Sequence, residues 1–339
     1  MVIRVDADEN IGMGHYMRCL ALANSWCRRG GSAVILTNCA YEQKLYPSGI
    51  EVVSVSGKYR NSRQLLDLAK NKNADWIVVD GYHFSVEFIE ELSGYGCRVL
   101  LIDDGADLEH YRVDVVLNQN IYASPSMYAG KAKAKLLLGP NYALIRPRFW
   151  AEKRWKRDFS SKASRLLVIF GGSDPQDYST KFIEGYDWFS AKGALSELDI
   201  RLIVGPLNLN GSSIERSAAN MERCQVLKGV MDIAEHTQWC DVALSSAGST
   251  VWELSFYETP MILIPASLLE KKIAQNMSDS RAALMLENLD TDNYVEIFSI
   301  LETLMYDDEL RLHMGQTAGK LVDGAGAERV VDELRQFDN

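Results

Sequence analysis

The feature that most constrains this chain is a series of short, wholly apolar segments alternating with stretches of helical spacing, a series that begins again halfway along. Val2–Val5, Ala33–Leu36, Val52–Val55, Trp76–Val79, Val99–Ile102, Val113–Leu117 and Leu136–Leu138 read as strands. Helical spacing runs from about His15 to Arg29 and covers Ser62–Lys70 and Ser85–Leu92. Strands that are apolar throughout, rather than alternating, are covered on both faces, which indicates a parallel sheet with helices on either side. The stretch from Gly139 to Lys162 carries Pro, aromatic and many basic residues and reads as a linker. Strand candidates then resume at Leu166–Phe170, Leu202–Val204, Val242–Leu244 and Met261–Ile264. The accompanying helical segments are Gln176–Ser190, a pattern from Lys271 onward, and Val330–Phe337. The expectation is two doubly wound, Rossmann-like α/β domains facing a cleft, residues 1–150 and 151–339, which suits a chain of 339 residues.

Charge narrows the partners. Forty-six acidic against 36 basic residues leave a net charge of −10. The chain therefore lacks the basic footprint of a nucleic-acid binder, or of a protein held stably on an anionic membrane. A small anionic ligand stays open, because backbone amides and helix dipoles bind phosphate locally. No apolar run reaches the ~20 residues of a membrane span, and no cationic stretch precedes an apolar one at the start. Cys19, Cys27, Cys39, Cys97, Cys224 and Cys240 are scattered and lie mostly among apolar neighbours. They read as buried, reduced thiols of a cytoplasmic protein. No Cys, His or carboxylate cluster has metal-ligand spacing, so neither a metal nor a cofactor is expected.

Three loops at strand ends carry the chemistry. In Gly12-Met13-Gly14-His15-Tyr16-Met17-Arg18 the glycines allow a tight strand-to-helix turn beside a ligand. His15 then falls at the carboxyl edge of the first strand, where open α/β sheets bind ligands. It reads either as a base that takes a proton from water or as a residue that merely caps the helix. Asp6, Asp8 and Asp80 are candidates to orient it, with loop capping or a structural ion pair as the alternative for each. Gly-x-Gly without a third glycine, and without an acidic residue ~20 positions later, disfavours a dinucleotide oxidoreductase. In Ser245-Ser246-Ala247-Gly248-Ser249-Thr250, small residues precede a helix whose free N–H groups and hydroxyls suit a diphosphate. Glu253, one turn later, suits ribose hydroxyls, and an ordinary helix cap with a solvated Glu fits the same residues. Gly171-Gly172-Ser173-Asp174 is a second small-residue loop or a plain turn ending at Pro175. Lys271-Lys272-Ile273-Ala274-Gln275-Asn276 either presents amides to the ligand or is a solvated face. His83 either contacts a sugar or caps the next helix, while His110, His236 and His313 read as surface residues.

Taken together, these motifs resemble the PseG/SpsG-type UDP-sugar hydrolases. The resemblance rests on Arg4-x-Asp6 with Gly12-x-Gly14-His15-x-x-Arg18, Val79-Asp80-Gly81-Tyr82, Ile102-Asp103-Asp104, and Gly139-x-x-Tyr142-Ala143-Leu144-Ile145-Arg146. It continues through Gly171-Gly172-Ser173-Asp174 and Ser245-x-x-Gly248-Ser249-Thr250-x-Trp252-Glu253, and so runs to about Asn276. That family is similar to GT-B glycosyltransferases such as MurG. The resemblance implies metal-independent, inverting hydrolysis of UDP-2,4-diacetamido-2,4,6-trideoxy-β-L-altropyranose to UDP and the free sugar. It makes His15 the base and Tyr82 an active-site tyrosine near the sugar. Gly14, Arg18, Gly172, Ser173, Ser246, Gly248, Ser249, Thr250, Glu253, Gln275 and Asn276 become substrate-binding positions. The segment Ser267-Leu268-Leu269-Glu270-Lys271-Lys272 departs from the family's shorter Asn-Gln form. A GT-B glycosyltransferase with an alcohol acceptor is the alternative. Trp150, Lys153, Arg154, Trp155, Lys156 and Arg157 would then form a basic, apolar patch for a lipid acceptor, and otherwise a solvated linker with buried tryptophans.

Overall fold

The computed structural model describes residues 1–39, 49–55, 62–146, 155–190, 197–230, 232–290 and 293–338. It divides into two compact units. One comprises Met1–Ile11, His15–Trp150 and Gly324–Asn339, and the other Gly12–Gly14 and Ala151–Asp323.

The first unit holds a seven-stranded sheet of β1 (Val2–Val5), β2 (Ala33–Thr37), β3 (Ile50–Ser54), β4 (Trp76–Asp80), β5 (Arg98–Ile102), β6 (Val115–Asn118) and β7 (Lys135–Leu138). Their order is β3-β2-β1-β4-β5-β6-β7, and each pairing is parallel. Its helices include α1 (Gly14–Arg28), α2 (Ser62–Asn71) and α3 (Val86–Leu92). Every residue of β1, β2, β4 and β6 is buried, which accounts for their uninterrupted apolar reading. Ser85 caps α3 by accepting from the Phe88 amide.

The second unit repeats the plan with β8 (Arg165–Ile169), β9 (Asp199–Val204), β10 (Cys224–Lys228), β11 (Val242–Ser245), β12 (Met261–Leu263) and β13 (Leu284–Met285). Its order is β10-β9-β8-β11-β12-β13, again parallel throughout. Around it stand α4 (Tyr178–Ser190), α5 (Gly211–Ala218), α6 (Ala234–Trp239), α7 (Thr250–Phe256), α8 (Leu268–Asp279), α9 (Tyr294–Tyr306) and α10 (Asp308–Gly319). β10 and β13 went unread in the sequence because they are edge strands, half exposed or only two residues long.

The chain passes from the first unit to the second between Trp150 and Ala151, and its end returns to the first unit. The last helix, α11 (Gly326–Arg335), belongs to the first unit. Its residues hold Asn141 O through Arg329 and Lys135 through Glu333, and Phe337 lies edge-on to Trp76 at 5.5 Å. A glycine is required where it starts, because a methyl on Gly326 would stand 2.3 Å from Ala143 O. Apolar spacing records that a helix buries one face but not which sheet it covers. Among the described residues no helix is long and apolar enough to cross a membrane.

Candidate functional site

In a doubly wound sheet the strand order reverses at one point, and ligands bind beside the carboxyl ends of the two strands there. In the first unit these strands are β1 and β4, with Val5 paired to Asp80. Their loops are strapped crosswise. Asp80, the last residue of β4, holds His15 from the start of α1: Oδ1 lies 2.7 Å from Nδ1. Asp6, just after β1, holds His83 from the loop after β4, with Nε2 2.8 Å from Oδ2. Gly81 turns the chain between Asp80 and Tyr82 at φ +147°, and a methyl there would lie 2.8 Å from the His83 ring.

Arg18, one turn along α1 from His15, joins two buried carboxylates. Its Nε and Nη2 donate to Asp80 at 2.7 Å each, and its Nη1 and Nη2 donate to Asp104 at 3.0 and 2.9 Å. Burial alone would push the Asp80 carboxyl up, but the Arg18 guanidinium and then His15 outweigh it and hold Asp80 well below the usual carboxylate range. Asp104 is lowered in the same way, burial again being overcome by Arg18. Arg18 Nη2 also stands 3.1 Å from His15 Nδ1, yet its two hydrogens are taken by shorter bonds to Asp80 and Asp104. An ionised carboxylate at Nδ1 therefore places the imidazole proton there. In the neutral imidazole Nε2 is then the accepting nitrogen, and no hydrogen bond engages it among the described residues.

Tyr82 completes the group. The residue is 65% exposed, with its ring edge-on to His15, centroids 4.7 Å apart, while its hydroxyl donates to Asp104 Oδ2 at 2.8 Å. Asn120 donates to Asp104 Oδ1 at 2.7 Å, and Tyr122 and Asn118 donate to the Asp104 carbonyl at 2.9 and 3.1 Å. Of the three carboxylates expected near His15, Asp80 is the one in contact. Asp6 instead takes both Arg4 terminal nitrogens at 2.6 Å, besides His83. Burial raises the Asp6 carboxyl, and the bonds from His83 and Arg4 then bring it down to about 2. Asp8 caps its own loop by accepting from the Asn10 and Ile11 amides.

In the second unit the reversal falls between β8 and β11, and both small-residue loops follow these strands. Gly171, Gly172 and Ser173 are half exposed after β8. Asp174 turns inward and accepts from the Tyr178 and Ser179 amides at 2.9 Å each, closing the start of α4. Ser246 is buried after β11, while Gly248, Ser249 and Thr250 are half exposed at the start of α7. Ser249 stands at the N-cap position but its side chain makes no capping bond, so the ordinary cap reading is not what forms. Glu253 is buried in the first turn of α7 rather than solvated.

Gln275 and Asn276 lie further along α8. Gln275 is exposed and donates to Asp279, and Asn276 donates to Lys272 O. Just before that segment, Glu270 reaches the loop after β11, its Oε2 accepting from the Ala247 amide. Sequence reasoning also assigned no role to Asp104, Asn118, Asn120 and Tyr122. The polar Asn118-Gln119-Asn120 run closing an apolar strand was the available signal, as was Ser267-x-x-Glu270 for Glu270. Three further expectations change. His236 is buried, which lowers its pKa, rather than lying at the surface. Of the six free thiols only Cys19 and Cys240 are buried, the others being half-buried. In the basic segment, Trp150, Lys153 and Arg154 fall outside the described residues. Arg157 is turned inward onto the carbonyls of Tyr257, Cys240 and Thr237 and the Thr259 hydroxyl, so it presents no charge to a lipid.

Residues 166–323 match the model of the glycosyltransferase family 28 C-terminal domain. An uncharacterized protein of Methanocaldococcus jannaschii is 21% identical over 285 residues, 80% of this chain and 57% of that protein. The UDP-2,4-diacetamido-2,4,6-trideoxy-beta-L-altropyranose hydrolase of Campylobacter jejuni is 28% identical over 182 residues, 53% of this chain and 62% of that enzyme. The chain thus spans less than two thirds of the length of either curated relative. Among solved structures, Acinetobacter baumannii MurG aligns over 99% of both chains with a TM-score of 0.62 and 15% identity. The S. aureus MnaA–UDP structure aligns over 99% of this chain and 96% of its own with a TM-score of 0.68 and 10% identity. With two parallel-sheet α/β units and these neighbours, the chain has a GT-B fold, and its second half is similar to the C-terminal domain of glycosyltransferase family 28.

Proposed function

We propose that this chain is an enzyme acting on a UDP-sugar, and that it hydrolyses the bond between the anomeric carbon and the diphosphate. The observation that carries the hydrolase reading is the His15–Asp80 pair at the reversal point of the first sheet, with Nε2 free to accept a proton. Water gives a proton to Nε2 as its oxygen bonds to the anomeric carbon. The bond to the diphosphate breaks with inversion, and UDP departs with the bonding electron pair. With His15 neutral, Asp80, Asp104 and Arg18 together carry one net negative charge beside the imidazole. That charge offsets the imidazolium as it forms. Tyr82, an exposed residue, offers its ring to the sugar. The nucleotide falls to the second unit, where the Gly171–Ser173 and Ser246–Thr250 loops supply amides and hydroxyls for the diphosphate, and Glu253 the group for the ribose. The Campylobacter jejuni relative supports a diacetamido-trideoxy hexose as the sugar, and no step here needs a metal.

His15→Ala tests the reading. Turnover is expected to fall at least ~100-fold while UDP affinity is unchanged, measured by UDP release and by calorimetry. Near-normal turnover in the folded variant removes His15 from the mechanism. A second reading, transfer to an alcohol acceptor, is favoured by the family 28 domain match. An NMR time course with UDP-2,4-diacetamido-2,4,6-trideoxy-β-L-altropyranose and no acceptor separates the two. Full conversion to UDP and inverted free sugar supports hydrolysis. Unchanged donor that still binds moves transfer ahead.

A further inference from the structure

Glu270, in the second unit, has a placement that the proposed chemistry does not use. It sits in the first turn of α8, where Ser267 Oγ accepts from its amide at 3.2 Å, half of a capping box. In the reciprocal half, the glutamate would turn back to the amide of the capping residue itself. Here Oε2 instead accepts from the Ala266 amide at 2.8 Å and the Ala247 amide at 3.3 Å, tying the loop after β12 to the loop after β11. Oε1 faces Gly248, where an added methyl would stand 3.3 Å from it. Among the described residues no Lys, Arg or His pairs with this carboxylate; its neighbours Lys271 and Lys272 are exposed, and Lys271 is bound to Glu287. Burial pushes its carboxyl up, and the two amides offset that only in part.

An uncompensated carboxylate is thus fastened under the loop to which the diphosphate is assigned. We infer that Glu270 sets the affinity of the nucleotide site, bracing the Ser246–Gly248 loop through backbone amides while opposing the diphosphate with a like charge. The two actions have opposite signs, and substitutions separate them. Glu270→Gln removes the charge and keeps an oxygen for the Ala266 amide. Glu270→Ala removes both the charge and the brace. The device keeps the leaving product loosely held, which suits an enzyme that must release UDP after each turnover. The inference rests on UDP being the nucleotide bound.

The test is calorimetric titration of UDP into the full chain and both variants at mildly alkaline pH, where a glutamate is ionised. Glu270→Gln is expected to bind UDP at least ~5-fold more tightly than the unaltered chain, from loss of a like charge within several ångströms. Glu270→Ala is expected to bind more weakly than Glu270→Gln. A gain in affinity is a readout that a folding defect does not produce. Equal or weaker binding by Glu270→Gln, with an unchanged melting temperature, overturns the inference. Failure of the unaltered chain to bind UDP overturns the nucleotide reading itself, and is a distinct result.

Discussion

Asp80→Asn is the substitution whose consequences the geometry specifies most fully. The Asp80 carboxylate accepts from His15 Nδ1 and twice from Arg18, all at 2.7 Å, and is fully buried. An asparagine can turn its oxygen to Arg18, and its amide then donates to His15 Nδ1. The imidazole proton must move to Nε2, so the atom that should accept a proton from water carries one instead. The expected loss is that of the base, ~10²–10⁴-fold in turnover. Folding is affected separately, since Arg18 keeps Asp104 but loses one of its two charge partners. Breaking a buried pair typically costs about 3–5 kcal/mol. For a domain of this size that is a drop in melting temperature on the order of 10 °C. Turnover is measured as UDP release below the variant's melting transition, and UDP affinity by calorimetry. If folded Asp80→Asn turns over within ~10-fold of the unaltered chain, the tautomer argument fails.

Two further outcomes follow from the structure. The Asp6 carboxyl is lowered from 3.8 to about 2, so the stability it contributes is fully present above the unfolded value and is lost as pH falls toward the folded one. Acid unfolding should therefore steepen between about pH 4 and pH 2, a contribution of about 2 kcal/mol; Asp6→Asn should remove that component, and an unaltered acid limb in the variant contradicts it. Gly326→Ala places a methyl 2.3 Å from Ala143 O, so the start of α11 must shift at a cost of ~1–3 kcal/mol; a melting temperature equal to that of the unaltered chain would show that the helix docks elsewhere.

The chain's local pattern alone determined that it forms two parallel, helix-covered sheets. Central parallel strands such as Val2–Val5 and Trp76–Asp80 are buried on both faces, so their apolar runs are uninterrupted and stand out without any knowledge of neighbours. The loops that close them were legible for a related reason. Small residues between a strand and a helix are a local requirement of close approach, whether at Gly12–Gly14 or at Ser246–Gly248. Local pattern does not reach the pairing of side chains that are distant in sequence. Asp6, Asp8 and Asp80 were equal candidates to orient His15 until the parallel register set Asp80 beside Val5, with Asp6 one residue beyond. The same register put Arg18 between Asp80 and Asp104, 62 and 86 residues away. Arg157 read as part of a basic surface until carbonyls about 80 to 100 residues on enclosed its guanidinium. Likewise α11 announced a buried face but not the unit it covers, and Glu270 announced a cap but not the two amides it holds. In each case the sequence determined what a segment must bury or bond. The partner was set by tertiary contact, because hydrogen bonds and ion pairs depend on distances that chain spacing does not encode.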